Sequence, residues 1–158
     1  MIEAINIISF DVPFPANYGG VIDVFYKLKT FHKMGVKVHL HCFEYGREEQ
    51  PELEKYCESV MYYKRKDHWI NLLSSIPFIV KTRVSKELES NLLSNDYPIL
   101  FEGLHTCYLL NNPKLKDRIK LYRESNIEHK YYSHLAKSEK SFSKKIFLRW
   151  EARKLKRY

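Results

Sequence analysis

Hydrophobic and polar positions change period several times along this chain, and each change marks an element. Ile5 to Phe10, "INIISF", is a short apolar run of the kind found in a strand buried on both faces. Val21, Val24, Phe25, Leu28, Phe31 and Met34 then recur at three- and four-residue spacing, which predicts an amphipathic helix stopped by Gly35. "VKVHLHCF" (36–43) follows at once as an alternating, β-branched strand. Strand, helix and strand with short connections form the βαβ unit of a parallel sheet.

The alternation continues. "EEQPELEKYCE" reads as a short helix started by Pro51, "SVMYYKR" as a third strand, and "HWINLLSSI" as a helix interrupted at Pro77. "VSKELESNLLSND", with Ser85 as N-cap, predicts a further helix, "YPILFEGL" a fourth strand and "RIKLYRES" a fifth. From Ile127 to Tyr158 there is no Gly or Pro, and Ile127, Tyr131, Leu135 and then Phe142, Ile146, Trp150 recur every four residues, as one long helix or two abutting ones. The fold class expected is α/β, a doubly wound parallel sheet with helices on both faces. No stop signal closes the last helix, so the 158 residues read as a single domain that is a fragment of a longer protein.

Charge changes this picture locally. The formal net charge is +8, and Lys137 to Tyr158 alone holds nine Lys or Arg against two Glu. A basic segment of this kind is a solvated helix face or an anion-binding surface. "MYYKRKDHW" followed by "INLLSSIPFIV" adds aromatic and apolar residues beside basic ones, the composition of a monotopic membrane contact. No recognisable nucleic-acid module accompanies these residues, so nucleic acid is not an expected partner. The three cysteines, Cys42, Cys57 and Cys107, form no CxxC pair, which suits a reducing compartment. With no signal peptide and no apolar run of spanning length, the expected location is cytoplasmic, with peripheral membrane contact left open.

Three segments carry candidate chemistry. "PANYGG", between the first strand and helix, lacks both the GxGxxG and the Walker spacing, yet Gly19 and Gly20 leave the helix entry bare enough for backbone N–H groups to meet a phosphate. Plain turn chemistry explains the same residues equally well. "FEGLHT" lies at the C-terminal end of the fourth strand, where open α/β sheets bind ligands. There Glu102 suits a base or a sugar-hydroxyl acceptor, and His105 suits orienting or deprotonating a hydroxyl. "YRESNIEHKYY" gathers Arg123, Glu124, Asn126, Glu128 and His129 after the fifth strand, although Asn126 also reads as a helix cap. His39 and His41 on one strand face read as structural, and His129 and His134, five apart, do not make a helical metal pair.

Taken in order, "PFPANYGG" with its helix and "GVKVHLHCFEYG", "FEGLHT", and "R-x-x-NIEHKYY" opening a basic helix resemble the N-terminal domain of a family 4 glycosyltransferase of GT-B fold. The resemblance covers most of the chain. It implies a Rossmann-like acceptor-side domain, 1–158, whose donor-binding partner domain lies outside it. The implied function is that half of a retaining enzyme transferring a hexosyl unit from a nucleotide-sugar to a glycan or lipid-linked acceptor. The fragment alone is then expected to be inactive. Carried onto this chain, the resemblance puts Gly19 and Gly20 by the donor phosphates, Asn17 and Tyr18 at the cleft, and Glu102 and His105 by the acceptor as catalytic candidates. It lines the cleft wall with Arg123, Asn126, Glu128 and His129. No cofactor or metal is implied, the nucleotide-sugar being a substrate. Ser125 stands where relatives often carry His, and Glu102 takes the place of a strand-end His, which leaves open whether Glu102 or His105 meets the acceptor. A Glu-x7-Glu at Glu44 and Glu52 falls around Pro51 and is read as chance. The alternative from another class is a non-catalytic binding module that uses the basic helix on anionic membrane or nucleic acid.

Overall fold

The computed structural model describes residues 2–158. Five strands, β1 (Ala4–Ser9), β2 (Lys37–Glu44), β3 (Ser59–Lys64), β4 (Ile99–Glu102) and β5 (Lys120–Arg123), form one sheet in the order β3-β2-β1-β4-β5. Every neighbouring pair is parallel. The helices are α1 (Gly19–Lys33), α2 (Phe78–Lys81), α3 (Lys86–Leu93), α4 (Glu128–Ser138) and α5 (Phe142–Arg157). This is the Rossmann-like α/β fold that the alternating pattern predicts.

The central strand shows why the sheet is covered twice. All six residues of β1 are buried, and neighbouring side chains go to opposite faces. Ile5 and Ile7 join Val38, Leu40 and Cys42 of β2 under Phe25 and Leu28 of α1. Ile8 joins Phe43, Ile99 and Phe101 under Leu88 and Leu92 of α3. The second face also holds a polar chain. His41 Nε2 lies 3.2 Å from Asn6 Oδ1 and its Nδ1 2.8 Å from the Tyr63 hydroxyl, which accepts from Asn91. His41 is therefore a satisfied core residue; burial, with His39 adding to it, lowers its pKa to about 3.

The predicted ends of the first helices hold. Gly35 takes φ +72°, the left-handed conformation that lets its N–H close on His32 O at 3.0 Å and turn the chain into β2. Ser85 Oγ accepts the Leu88 N–H at 3.2 Å and caps α3. Elsewhere the periodicity overstated helix. The segment around "HWINLLSSI" makes only a 3-10 turn over Trp69–Leu73 before Pro77 starts the one-turn α2, and Pro51–Lys55 is likewise a 3-10 turn. The Ile127–Tyr158 segment is two helices. Glu139 leaves helical backbone at φ −68°, ψ 132°, and its carboxylate accepts the Ser141 N–H at 2.8 Å, so the reversal needs neither Gly nor Pro. The reversal lets α5 fold back on α4 and bury Ala136, Ala152 and Leu155. Among the described residues no helix is long and apolar enough to cross a membrane.

Candidate functional site

Chain order reverses beside β1, whose neighbours β2 and β4 are reached by crossovers in opposite directions. Crevices at such a switch point, past the C-terminal ends of the strands, are where open α/β sheets take ligands. Here the loops after β1, β4 and β5 and the first turns of α1 and α4 enclose a cleft of about 510 Å³.

The loop after β1 supplies one wall through Phe10, Tyr18, Gly19 and Gly20. It is held from beneath by groups that the sequence reading passed over. Arg47, just past β2, donates to Pro15 O at 2.7 Å and Val12 O at 3.2 Å, bonds to Asn17 Oδ1, and lies 4.9 Å over the Tyr18 ring. Buried Asp11 accepts the Tyr18 hydroxyl at 2.6 Å and the Val12 N–H at 2.8 Å. Burial, and then the hydrogen bond and charge of Asp11, keep the Tyr18 phenol protonated far above its usual range. Tyr18 caps α1 in extended backbone with no side-chain cap, and the first turn holds no acidic residue. The orphan amides of that turn are therefore open to a ligand.

The two glycines are not equivalent. A Cβ on Gly19 would meet nothing within 4 Å, whereas one on Gly20 would lie 2.5 Å from Cζ of Phe10. Gly20 makes room for the Phe10 ring, which stands 5.3 Å from the His105 ring. Gly103 is at φ +76°, a conformation other residues rarely adopt, and a Cβ there would also stand 3.3 Å from His105 Nδ1.

At the end of β4 the two candidates separate. Glu102 is 1 % exposed and does not line the cleft. It pairs with Lys27 of α1 and lies 3.6 Å from Arg123 Nη1, while Asp23 of α1 holds the same Arg123 nitrogen at 3.0 Å and Lys27 at 3.4 Å. His105 does line the cleft. Burial, and then the charges of Arg83 and Arg65, lower its pKa to about 3, so the ring is neutral. Its Nδ1 is buried without a hydrogen-bond partner. Arg83 sits behind this wall, donating to Phe10 O at 3.0 Å and Ile79 O at 2.7 Å.

The opposite wall is the end of β5 and the start of α4, with Arg123, Ser125, Asn126, Glu128, Tyr131 and Tyr132. Burial, and then the charge of Glu124, raise the Glu128 carboxyl above the usual range. Tyr18, Gly19, Gly20, His105, Arg123, Asn126 and Glu128 thus share one cleft; Glu102 lies under it. Asn17 is turned toward Arg47, and His129 is outside the lining. Asp23 and Lys27 went unread because an i, i+4 charge pair on a helix is ordinary surface chemistry. Asp11 offered a weak signal, a lone acid directly after a buried strand.

One curated relative accompanies this geometry. The chain is 32 % identical over 155 residues to an uncharacterized 44.6 kDa protein in the cps region of Klebsiella pneumoniae. The match covers 93 % of this chain and 39 % of that protein, so the chain spans about two fifths of its relative. No family model and no solved structure matches the chain.

Proposed function

We propose that this chain is the acceptor-side domain of a retaining glycosyltransferase of GT-B type that acts in the assembly of a capsular or similar surface glycan. The observation that carries the reading is the switch-point cleft, which opposes the bare, uncapped amino end of α1 to a wall bearing Arg123, Asn126 and Glu128. The similarity to a protein named for a cps, or capsule, region supports the glycan context.

In such a transfer the bond from the sugar anomeric carbon to the nucleotide diphosphate breaks, negative charge gathers on the departing phosphates, and an acceptor hydroxyl oxygen takes their place, its proton passing to the departing phosphate. Amides of Gly19 and Gly20, already oriented and without a competing carboxylate in their turn, suit stabilisation of that charge. The neutral His105 is a hydrogen-bonding group that orients the acceptor hydroxyl, and its low proton affinity makes it a poor final proton sink. Glu102 acts through Arg123: a carboxylate buried under the cleft fixes the guanidinium that the ligand meets. Remaining phosphate contacts belong to a second domain outside this chain.

Two measurements test the proposal. The longer protein that contains this chain should release nucleoside diphosphate from a nucleotide-sugar when an oligosaccharide or lipid-linked acceptor is present, and the chain alone should not. In the isolated chain, NMR titration with uridine diphosphate and with oligosaccharides should shift amides at 18–21, 103–106 and 123–128. Shifts confined to other surfaces, or turnover by the chain alone, would overturn the reading.

A further inference from the structure

Trp150 shares a groove with Leu73 on the helix that carries the chain's densest cationic segment, and the second tryptophan, Trp69, stands exposed in the same turn as Leu73. In α5 the single acidic residue, Glu151, is fully buried, where it accepts the Phe78 N–H at 2.7 Å and pairs with Lys154. The outward face is left with Phe142, Ile146 and Trp150, four residues apart, interleaved with exposed Arg149, Arg153, Lys156 and Arg157. The turn at Trp69–Leu73 extends this face. Lys154 Nζ donates to Ser74 O at 3.1 Å and Leu72 O at 3.4 Å, and Leu73 lines the same groove as Trp150. Trp69, Ile70, Leu73, Phe142, Ile146 and Trp150 are each between 42 % and 78 % exposed.

Six large apolar side chains on two adjoining elements exceed the scattered exposure that soluble surfaces show. A covering protein would have to bury the cations between them, and charged residues are depleted from the cores of protein interfaces. Nucleic acid would engage the cations and stack on the tryptophans, leaving Ile70, Leu73 and Ile146 without a use. The interface of an anionic bilayer accepts both sets at once, with apolar tips at the acyl boundary, aromatic rings at headgroup level and cations at the lipid phosphates. We propose that this face docks on anionic membrane lipid. The proposal uses none of the cleft residues, so it stands or fails independently of the sugar-transfer reading.

The two tryptophans make the chain its own probe. Vesicles of phosphatidylcholine with one third phosphatidylglycerol should co-sediment the chain and shift its emission to the blue, while pure phosphatidylcholine should do neither. Arg149→Gln with Arg153→Gln should lower the partition coefficient roughly 30-fold, at about fivefold per cation near a charged surface. Phe142→Ser with Ile146→Ser should lower it at least tenfold at unchanged charge. All four positions are exposed, and circular dichroism verifies that the variants remain folded. Equal binding to neutral vesicles, an emission maximum unmoved at saturating anionic vesicles, or binding of duplex DNA without vesicle binding would overturn the proposal.

Discussion

Replacing Gly20 by alanine isolates a packing constraint inside what reads in sequence as a phosphate turn. The new methyl would stand 2.5 Å from Phe10 Cζ and 3.2 Å from Cε1, so the ring has to move. The His105 ring stands 5.3 Å away, centroid to centroid, so the Phe10 ring is bordered by a second aromatic group as well. Overpacking of this kind costs about 1–3 kcal/mol. Gly19→Ala is the internal control, since both variants gain about the same helix propensity and a Cβ at Gly19 meets nothing within 4 Å. The expected gap between the two variants is therefore the overpacking term itself. For a domain of this size that is roughly 2–12 °C in Tm, with Gly19→Ala at or above the parent. Thermal and urea unfolding by circular dichroism reads the gap. In a Phe10→Leu background, which lacks the ring tip, it should shrink below about 0.5 kcal/mol. A gap that persists there, or two glycine variants of equal stability, would refute the assignment of Gly20 to ring packing.

Glu102→Gln should cost about 1–3 kcal/mol in urea unfolding, because Lys27 and Arg123 lose a buried partner but keep Asp23 and some solvent; it should also weaken ligand binding that depends on Arg123. Arg47→Ala should leave the sheet intact while speeding amide hydrogen exchange across 12–18, since one guanidinium holds Val12, Pro15 and Asn17; unchanged exchange would show that the loop does not need it. His41 and His105 both have native pKa values near 3 against an ordinary 6.5, so the unfolded chain binds more protons than the native one between those values. Their contribution to stability is complete above pH 6.5 and is lost as pH falls toward 3, at roughly 1.4 kcal/mol per pH unit for each histidine; His105→Gln should remove about half of that slope, measured by urea unfolding at pH 7, 6 and 5.

The fold was legible in the chain because its strands are either continuously apolar or plainly alternating, and because α1 passes into β2 through residues 34–36 alone. Residues 4–44 show this best, with Gly35 marking the single turn where a positive φ is required. The 3-10 turn at Trp69–Leu73 was not legible, since its apolar residues recur at helical spacing yet face outward. The break at Glu139 was equally hidden, because a side-chain bond to Ser141 performs what Gly or Pro would signal. Among the site residues, position at a strand end was enough to bring His105, Arg123, Asn126 and Glu128 to one cleft. It could not tell which strand-end group turns inward. Glu102 is drawn beneath the cleft by Lys27, 75 residues away in sequence, and Asn17 is drawn aside by Arg47, 30 residues away.

The same ion network gives the cleft a direction. Arg123 looks like the natural anion receptor, but its guanidinium is already divided between Asp23 and Glu102, which lowers the gain from pairing it with a phosphate. The amino end of α1 faces no such competition, having neither an acidic first turn nor a side-chain cap. On the proposed reading, an anionic group would therefore sit beside Gly19, with hydroxyl donors toward Asp23 and Glu128. A ligand with a phosphate at one end and hydroxyls at the other fits that polarity. In this arrangement Gly19 keeps the amide approach open, Gly20 seats the aromatic ring that bounds it, and the glycine pair divides two tasks that the sequence presents as one.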